Sequence, residues 1–325
     1  MKPLQFRAIL KPTLWGGDGV VRLKGLDNER TDIGESWEIS GLPGNETTVL
    51  YGEDKGLTLK ELTDRYGEKL IGRENMQRYG TDFPLLIKFI SAGDDLSLQV
   101  HPDDNMARRM GHPFGKSEMW YIVQAEKDAV IRSGFSHPFS QEEYRQSLTA
   151  GNLTDHVVSH PSEAGSCFYI PAGRIHSIGS GNLLIEIQQS SNDTFRVYDF
   201  DRRDAEGNLR ELHVEQACEA LDYEWRDARP VPYLNEKNGI SELLSTPEFT
   251  VRKIAVPDHL RIDYSDIDSF VVYIGISGQA QLTDGEGNKV TLKAGESLLL
   301  PASNGSVALQ ADGDTPFECM ETYIV

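Results

Sequence analysis

AGSCFYIPAG, at residues 164–173, is matched later in the chain by AGESLLLPAS, at residues 294–303. Both stretches read Ala-Gly, a small or acidic residue, a short apolar run and then Pro-Ala. A glycine marks a turn, an apolar run of this length favours a strand, and a proline marks the corner that ends it. Each copy also follows two strand-like runs with a glycine between them. The sequence therefore predicts one β-unit that occurs twice.

Short apolar runs separated by Gly, Pro, Asn and Asp extend this pattern in both directions, and they include LLIKFIS, MWYIV, NLLIEIQQ, FVVYIGIS and KVTLK. Such a rhythm is typical of antiparallel β-structure. The repeated Gly-to-Pro spacing resembles that of cupin-like jelly rolls. We therefore predict a mainly β protein with two cupin-like jelly-roll β-barrels. Polar starts and charged faces predict a few short surface helices, in TLKELTDRYGEKLIG after residue 57, SQEEYRQSLTAG after residue 139 and HVEQACEALD after residue 212.

The two copies differ in a residue that bears on chemistry. His176 stands five residues after the proline of the first copy, and Ser306 holds the same place in the second. The histidines that are ligand candidates cluster around the first copy, whereas the second copy holds only His259. We therefore expect an N-terminal catalytic cupin domain with helical insertions at residues 1–235. A degenerate C-terminal cupin domain at residues 236–325 would pack against it and stabilise it.

The stretch LSLQVHPDD predicts a strand with one polar face. Alternate residues of a strand point to opposite faces, so Ser97, Gln99 and His101 share a side. Glu118 in KSEMWYI and His176 in PAGRIHSIG follow on later predicted strands, and the inward positions of neighbouring strands converge inside a barrel. Two imidazoles, a carboxylate and a weak amide oxygen would form an open zinc site with room for water or substrate.

These residues also have a purely structural interpretation. A single histidine on a strand is more often a hydrogen-bonded core residue than a ligand. An ionised Glu118 beside apolar strands needs a cation, and either a metal ion or Lys116 would supply it. Both readings stay open at the level of composition and spacing.

The charge of the chain limits its partners. Asp and Glu outnumber Lys and Arg by 51 to 32, which gives a net charge of −19. Such a chain repels nucleic acid and anionic membranes, so we expect neither as a partner. The first residues lack the apolar segment of a secretory signal, and no apolar run approaches the ~20 residues that span a bilayer.

The cysteines indicate a reducing compartment. Cys167, Cys218 and Cys319 are odd in number and widely spaced, which fits neither a disulfide framework nor a cysteine zinc knuckle. We therefore expect a cytoplasmic protein with reduced, buried thiols. The sequence favours no particular oligomeric state.

A longer set of motifs carries a family resemblance. FPLLIKFISAGDDLSLQVHPDD, GKSEMWYI and YIPAGRIHSIGSGNLLIEIQQSSNDTFRVYDFDR occur in this order, after WGG near Trp15 and GESWEIS near Glu35. Together they resemble class I mannose-6-phosphate isomerase in its short bacterial form, over most of the chain. The long eukaryotic members carry a large helical insertion that this chain lacks.

The resemblance implies a zinc-dependent cupin enzyme, with one Zn²⁺ per chain, that interconverts mannose 6-phosphate and fructose 6-phosphate. It also implies roles for seven residues. The family's zinc ligands, catalytic arginine and phosphate-contacting residues fall, in that order, on Gln99, His101, Glu118 and His176, on Arg196, and on Ser97 and Lys88.

An aldose–ketose isomerisation moves a proton between C2 and C1 through an enediol, so its site needs a base, an electrophile and a phosphate anchor. Lys88, Lys116 and Arg196 are the local cations that so acidic a chain needs in order to bind a phosphorylated metabolite. Glu186, in the apolar run LLIEIQ, is a candidate acid/base or an orienting partner for Arg196. A buried Glu186–Arg196 pair with a structural role is the alternative. Lys116 completes the catalytic candidates.

Two other classes of protein share such a pocket. A nonenzymatic cupin that binds a sugar or a regulatory metabolite needs no proton-transfer group, and isotope exchange at C2 of a bound sugar separates it from an isomerase. A metal-dependent cupin oxygenase normally prefers Fe²⁺ and consumes O₂.

Overall fold

Antiparallel β-strands make up most of the regular structure. The computed structural model describes residues 1–26, 29–204, 206–313 and 315–325. The strands of the first part of the chain are β1 Phe6–Arg7, β2 Ile9–Gly17, β3 Ile33–Ile39, β4 Thr48–Val49, β5 Leu85–Ala92, β6 Leu98–Val100, β7 Glu118–Ala125, β8 Val130–Phe135, β9 Val157–Pro161, β10 Cys167–Ile170, β11 His176–Ile178, β12 Asn182–Gln189 and β13 Phe195–Tyr198. Those of the second part are β14 Gly239–Ser245, β15 Thr250–Val256, β16 His259–Asp263, β17 Val271–Ser277, β18 Gln279–Asp284, β19 Lys289–Lys293, β20 Ser297–Leu300, β21 Ser306–Ala311 and β22 Phe317–Tyr323.

Seven short helices lie among the described residues, with one 3₁₀ turn at Leu153–His156. They are α1 Gly19–Leu23, α2 Leu59–Tyr66, α3 Glu68–Ile71, α4 Arg73–Tyr79, α5 Asp104–Met110, α6 Gln141–Ala150 and α7 Val214–Ala220. The three predicted helical stretches contain α2 with α3, α6 and α7. Thr58 and Glu61 form a capping box at the start of α2, and the Ser140 side chain accepts a hydrogen bond from the Glu143 amide at the start of α6. These caps satisfy amides that have no partner inside the helix.

None of these helices is long and apolar enough to cross a membrane.

Four sheets form two sandwiches. In the first, a six-stranded sheet of order β10-β7-β12-β5-β2-β3 faces a five-stranded sheet of order β13-β6-β11-β8-β9. In the second, a five-stranded sheet of order β14-β15-β22-β17-β20 faces a four-stranded sheet of order β16-β21-β18-β19. The short strands β1 and β4 pair separately. The mainly β, cupin-like fold is therefore as predicted, although the sheets remain open and do not close into barrels.

Bulky apolar side chains explain the open sandwiches. Trp120, Phe168 and Ile178 lie in the core between the first two sheets. Tyr273 and Leu309 lie in the corresponding core of the second sandwich. Side chains that interdigitate between two facing sheets keep the sheets about 10 Å apart, so edges of facing sheets need not join. The expectation of closed barrels was wrong in this respect.

The predicted repeat is present strand by strand. The order β10-β7-β12-β5 of the first sandwich corresponds to β20-β17-β22-β15 of the second, and β6-β11-β8-β9 corresponds to β16-β21-β18-β19. Gly165 and Gly295, the second residues of the two quoted stretches, both take positive φ angles, of 91° and 77°. Glycine adopts this conformation without steric cost. The two stretches are therefore the same turn and strand in two copies of one unit.

The two sandwiches share a core. The six-stranded sheet contributes Leu85, Ile87 and Ile185, and the facing sheet of the second sandwich contributes Val272 and Met320, to one buried apolar cluster. The division near residue 235 that we expect from the sequence stays a prediction.

Candidate metal centre and active site

Strand pairing brings the candidate ligands together. Gln99 lies on β6 directly opposite His176 on β11, and on its other side opposite Arg196 on β13. Side chains opposite each other on neighbouring strands share a face, so Gln99 lies between His176 and Arg196. His101 follows β6 and Glu118 begins β7, which belongs to the facing sheet. The centre therefore lies between the two sheets of the first sandwich.

His101, Glu118 and His176 form a buried cluster. Their side chains are 1%, 0% and 1% exposed. One carboxylate oxygen of Glu118 lies 3.4 Å from Nε2 of His101, and the other lies 3.3 Å from Nε2 of His176. One potential ligand atom from each residue lies within 4.8 Å of the others. Three donors at this spacing can contact one ion.

Backbone carbonyls orient both imidazoles. Nδ1 of His101 lies 2.8 Å from the carbonyl oxygen of Asp193, and Nδ1 of His176 lies 2.8 Å from that of Arg174. Because a carbonyl only accepts, both Nδ1 atoms carry the proton, and each neutral ring keeps a lone pair on Nε2. The ring of Trp120 packs edge-on against His176. This arrangement is the usual one for histidines that bind a metal through Nε2.

The electrostatics favour a divalent cation. Burial lowers the pKa of His101 to about 4, and the Lys116 ammonium lowers it too, so the ring is neutral near pH 7. Burial alone raises the pKa of Glu118, but the neighbouring Lys116 ammonium opposes burial, and the pKa lies well below its usual value. Neither oxygen of Glu118 accepts a hydrogen bond among the described residues. Two imidazole nitrogens and a buried carboxylate without hydrogen bonds fit a metal ion such as Zn²⁺.

Gln99 and Lys116 border this cluster. Nε2 of Gln99 lies 3.2 Å from Nε2 of His176. The oxygen and nitrogen of a glutamine amide are assigned from their surroundings, and an exchange of the two would turn Oε1 toward the cluster. Nζ of Lys116 lies 3.3 Å from Glu118 and 3.2 Å from Nε2 of His101. From the sequence, either a metal ion or Lys116 could be the cation beside Glu118. In the structure, Lys116 forms an ion pair with Glu118, and the three residues of the triad are also close enough together to bind a metal ion.

A cavity of about 310 Å³ opens next to the cluster. Its lining is mainly polar, and it includes six of the nine residues that the sequence singled out: Lys88, Ser97, Gln99, Lys116, Glu186 and Arg196. The other three are the buried triad. All nine predicted site residues therefore lie in one region.

The partner of Glu186 differs from the expectation. Register places Glu186 on β12 opposite Lys88 on β5 and opposite Trp120 on β7. Lys88 Nζ lies 2.9 Å from Glu186, and the Trp120 indole donates to Glu186 at 2.9 Å. The described residues contain no ion pair between Glu186 and Arg196. Glu186 therefore pairs with Lys88 and not with Arg196.

Arg196 is held by the backbone. Its Nη1 donates to the carbonyl oxygen of Glu211 at 2.8 Å, and its Nε has no hydrogen-bond partner among the described residues. Arg196 forms no ion pair with an Asp or Glu side chain among the described residues. The guanidinium therefore keeps donors for a ligand in the cavity.

The cavity also contains residues that the sequence analysis did not assign. They are Trp15, Glu35, Ile90, Leu96, Ile178, Asn192, Thr194 and Arg210. All of them except Arg210 lie in the motifs quoted from the sequence, so motif position was a signal for these seven. Arg210 lies in the polar stretch between β13 and α7 and had no such signal.

A cupin with a candidate metal site is the class of protein that this fold and these residues define. Residues 4–131 match the family described as phosphomannose isomerase type I, catalytic domain, and residues 240–315 match mannose-6-phosphate isomerase, cupin domain. The chain is 35% identical over 315 residues to the mannose-6-phosphate isomerase of Streptococcus mutans serotype c, with 96% of both proteins covered. It is 33% identical over 335 residues to mannose-6-phosphate isomerase ManA of Bacillus subtilis, with 99% of both covered.

A solved structure agrees. The crystal structure of the mannose 6-phosphate isomerase from Bacillus subtilis matches the full length of both chains with a TM-score of 0.89 at 28% identity. The chain belongs to the mannose-6-phosphate isomerase family, which is a family of isomerase enzymes. The resemblance stated from the sequence motifs is thus confirmed.

Proposed function

We propose that this protein is a zinc-dependent isomerase that interconverts mannose 6-phosphate and fructose 6-phosphate through an enediol. The observation that carries the proposal is the buried His101–Glu118–His176 triad, which opens onto a polar cavity in a chain of this family. Zinc accepts imidazole nitrogen and carboxylate oxygen together, and three protein ligands leave a position for substrate. Gln99 would supply a further, weaker oxygen.

Each group in the cavity has a defined task in this proposal. A bound zinc ion would polarise or hold the sugar oxygens. Arg196 lies opposite Gln99 in register, so its guanidinium would donate to the oxygens of the enediol as negative charge builds on them. Lys116, next to the triad, would hold the same oxygens from the other sheet.

Two carboxylates in the cavity are candidates to move the proton between C2 and C1. Both oxygens of Glu186 already have neighbours, Trp120 and Lys88. Glu35 accepts from the Trp37 indole and lies 3.7 Å from Lys88. Glu186→Gln and Glu35→Gln, compared by loss of solvent-proton exchange at C2, would assign the base, since only the variant at the base loses exchange while retaining sugar binding.

The decisive experiment is an anaerobic assay of metal-analysed protein with mannose 6-phosphate. The expected result is fructose 6-phosphate, with solvent deuterium at C1 of the product and at C2 of the mannose 6-phosphate that is recovered. Binding of the sugar without exchange or product would indicate a nonenzymatic cupin. Consumption of O₂ in an aerobic repeat would indicate an oxygenase, and either outcome would overturn the proposal.

A cytoplasmic location forms part of this proposal. Cys167, Cys218 and Cys319 are all free and buried, which is the state that a reducing compartment maintains. The proposed substrate is a small sugar phosphate, and the acidic surface makes nucleic acid and anionic membranes unfavourable partners.

A further inference from the structure

The cavity needs a cation that can hold a phosphate group. Four basic side chains line it: Lys88, Lys116, Arg196 and Arg210. Lys88 is 3% exposed and lies between Glu186 at 2.9 Å and Glu35 at 3.7 Å. Although burial lowers the pKa of Lys88, these two carboxylates raise it above its usual value. Two carboxylates around one ammonium leave this wall of the cavity with net negative charge, which disfavours a phosphate dianion.

The second sandwich contains the same wall. Glu321 on β22 lies opposite Arg252 on β15 and opposite Tyr273 on β17, as Glu186 lies opposite Lys88 and Trp120. Arg252 Nε donates to Glu321. Val271 begins β17 where Glu118 begins β7, and Ser306 begins β21 where His176 begins β11, so this copy lacks the metal ligands. The row of a basic, an acidic and an aromatic side chain is thus present in the copy that lacks the metal ligands, so its role is to stabilise the sandwich. The ammonium group of Lys88 therefore pairs with Glu186 and is not available to a phosphate group.

Arg210 is differently placed. Asp199, which is 5% exposed, accepts hydrogen bonds from Nε, at 2.7 Å, and from Nη2 of Arg210. Arg202 also lies within ion-pair distance of Asp199, at 4.0 Å, and it has a second carboxylate partner in Asp94, at 3.8 Å, so Arg202 does not depend on Asp199 alone. Nη1 of Arg210 makes no hydrogen bond to the described residues. Asp199 thus fixes one edge of the guanidinium and leaves a donor for the cavity.

Position along the strands also separates Arg210 from the metal. On β13, Arg196 is opposite Gln99, Tyr198 is opposite Leu98, and Asp199 follows. Arg210 therefore lies toward the Ser97 end of the cavity, whereas His101 lies toward the other end of β6. A hexose 6-phosphate carries its phosphate on the carbon farthest from C1, so its anchor must lie away from the ions and donors that act on C1 and C2.

We propose that Arg210, oriented by Asp199 and assisted by the Ser97 hydroxyl, is the phosphate-binding residue that makes this enzyme select phosphorylated sugars. The inference rests on the proposed function in taking a sugar phosphate monoester as the ligand. Arginine suits this task because its planar donors match the oxygens of a phosphate group.

Inorganic phosphate binding to the zinc-loaded protein, measured by calorimetry, tests the assignment. Arg210→Gln should weaken phosphate binding roughly 10- to 100-fold, because charge-assisted hydrogen bonds are the strong class. KM for mannose 6-phosphate should rise by a similar factor, with the loss falling on KM rather than on kcat. Arg229→Gln is the matched control, because Arg229 binds Asp227 through the same Nε and Nη2 atoms on the exposed surface, outside the cavity.

Without Arg210, the buried Asp199 carboxylate keeps only Arg202, at 4.0 Å, as an ion-pair partner among the described residues. If the single variant therefore fails to fold, the double variant Asp199→Asn/Arg210→Gln removes the buried charge as well and keeps the test valid. Phosphate affinity in either folded variant equal to that of Arg229→Gln would overturn the inference and place phosphate on the metal or on Lys88. A parent protein that binds phosphate through Arg210 but does not isomerise mannose 6-phosphate would refute the proposed function and leave the phosphate site standing.

Discussion

Replacing Arg196 with alanine distinguishes a catalytic arginine from a structural one. In the folded protein this side chain makes one hydrogen bond, from Nη1 to the Glu211 carbonyl oxygen, and its Nε has no partner among the described residues. Loss of a single hydrogen bond costs about 1 kcal/mol. In a unit of 150–250 residues that corresponds to a fall of roughly 2–4 °C in Tm.

The catalytic cost is expected to be larger. A fixed donor to a developing oxyanion is worth ~10²–10³ in kcat, or about 3–4 kcal/mol. Arg196 lies opposite Gln99 at the edge of the candidate metal cluster, where the enediol oxygens would lie. Arg196→Ala should therefore lose at least 100-fold in kcat, while its Tm and metal content stay close to those of the parent.

The assay compares Arg196→Ala with Arg78→Ala. Arg78 also donates through Nη1 to one backbone carbonyl, that of Pro247, at 2.9 Å, but it does not line the cavity. The two variants should melt within a few degrees of each other and should differ by orders of magnitude in kcat. If Arg196→Ala melts far earlier, yet turns over at nearly the parent rate when folded, the arginine is structural and the mechanism above is wrong.

The remaining predictions concern the metal, the substrate and the buried pair. His176→Ala should abolish binding of one divalent ion per chain, and full metal occupancy in both His101→Ala and His176→Ala would remove the metal hypothesis. Ser97→Ala should mainly raise KM in steady-state assays, and an unchanged KM would exclude its hydroxyl from the phosphate site. Lys88→Met leaves Glu186 buried without its partner and should cost about 3–5 kcal/mol in urea unfolding, much of it recovered in Lys88→Met/Glu186→Leu; a small single-variant loss would contradict the pairing. As the pH falls from 6.5 to about 4, the unfolded metal-free chain gains a proton at His101 that the folded chain does not. The free energy of unfolding of the metal-free protein should therefore decline across that window. A free energy of unfolding that stays constant with pH in the presence of chelator would contradict this.

Local signals predicted much of the fold. Gly165 and Gly295 occupy positive-φ turns in both copies, and the apolar runs after them are β10 and β20. Barrel closure was not predictable because it depends on which distant edges pair, and alternation along a strand carries no such information. Helix α5 was missed because the whole stretch LSLQVHPDD, through Asp104, was interpreted as a strand. The Asp103 side chain instead accepts a hydrogen bond from the Met106 amide and starts a helix.

In the candidate site, too, local sequence patterns predicted some features, whereas others depend on contacts between distant residues. Alternation and motif spacing were enough to predict that Gln99, His101, Glu118 and His176 lie together, because these residues lie in strands of two facing sheets or directly next to them. The partner of Glu186 was not predictable, because it depends on the register between β12 and β5, which places Lys88 opposite. Arg210 reaches the cavity from a polar stretch whose path depends on its contact with Asp199, and no local pattern encodes that contact.

The core shared by the two sandwiches has a consequence for assembly. Equivalent sheets of the two copies pack against each other through their outer apolar faces, which is the arrangement of an isologous dimer between two like subunits. Covalent linkage turns that association into an intramolecular one, so it no longer depends on protein concentration. Dilution should therefore leave the melting of the copy with the candidate metal site unchanged, because the second copy, which lacks the ligand residues, acts as a permanently bound partner subunit.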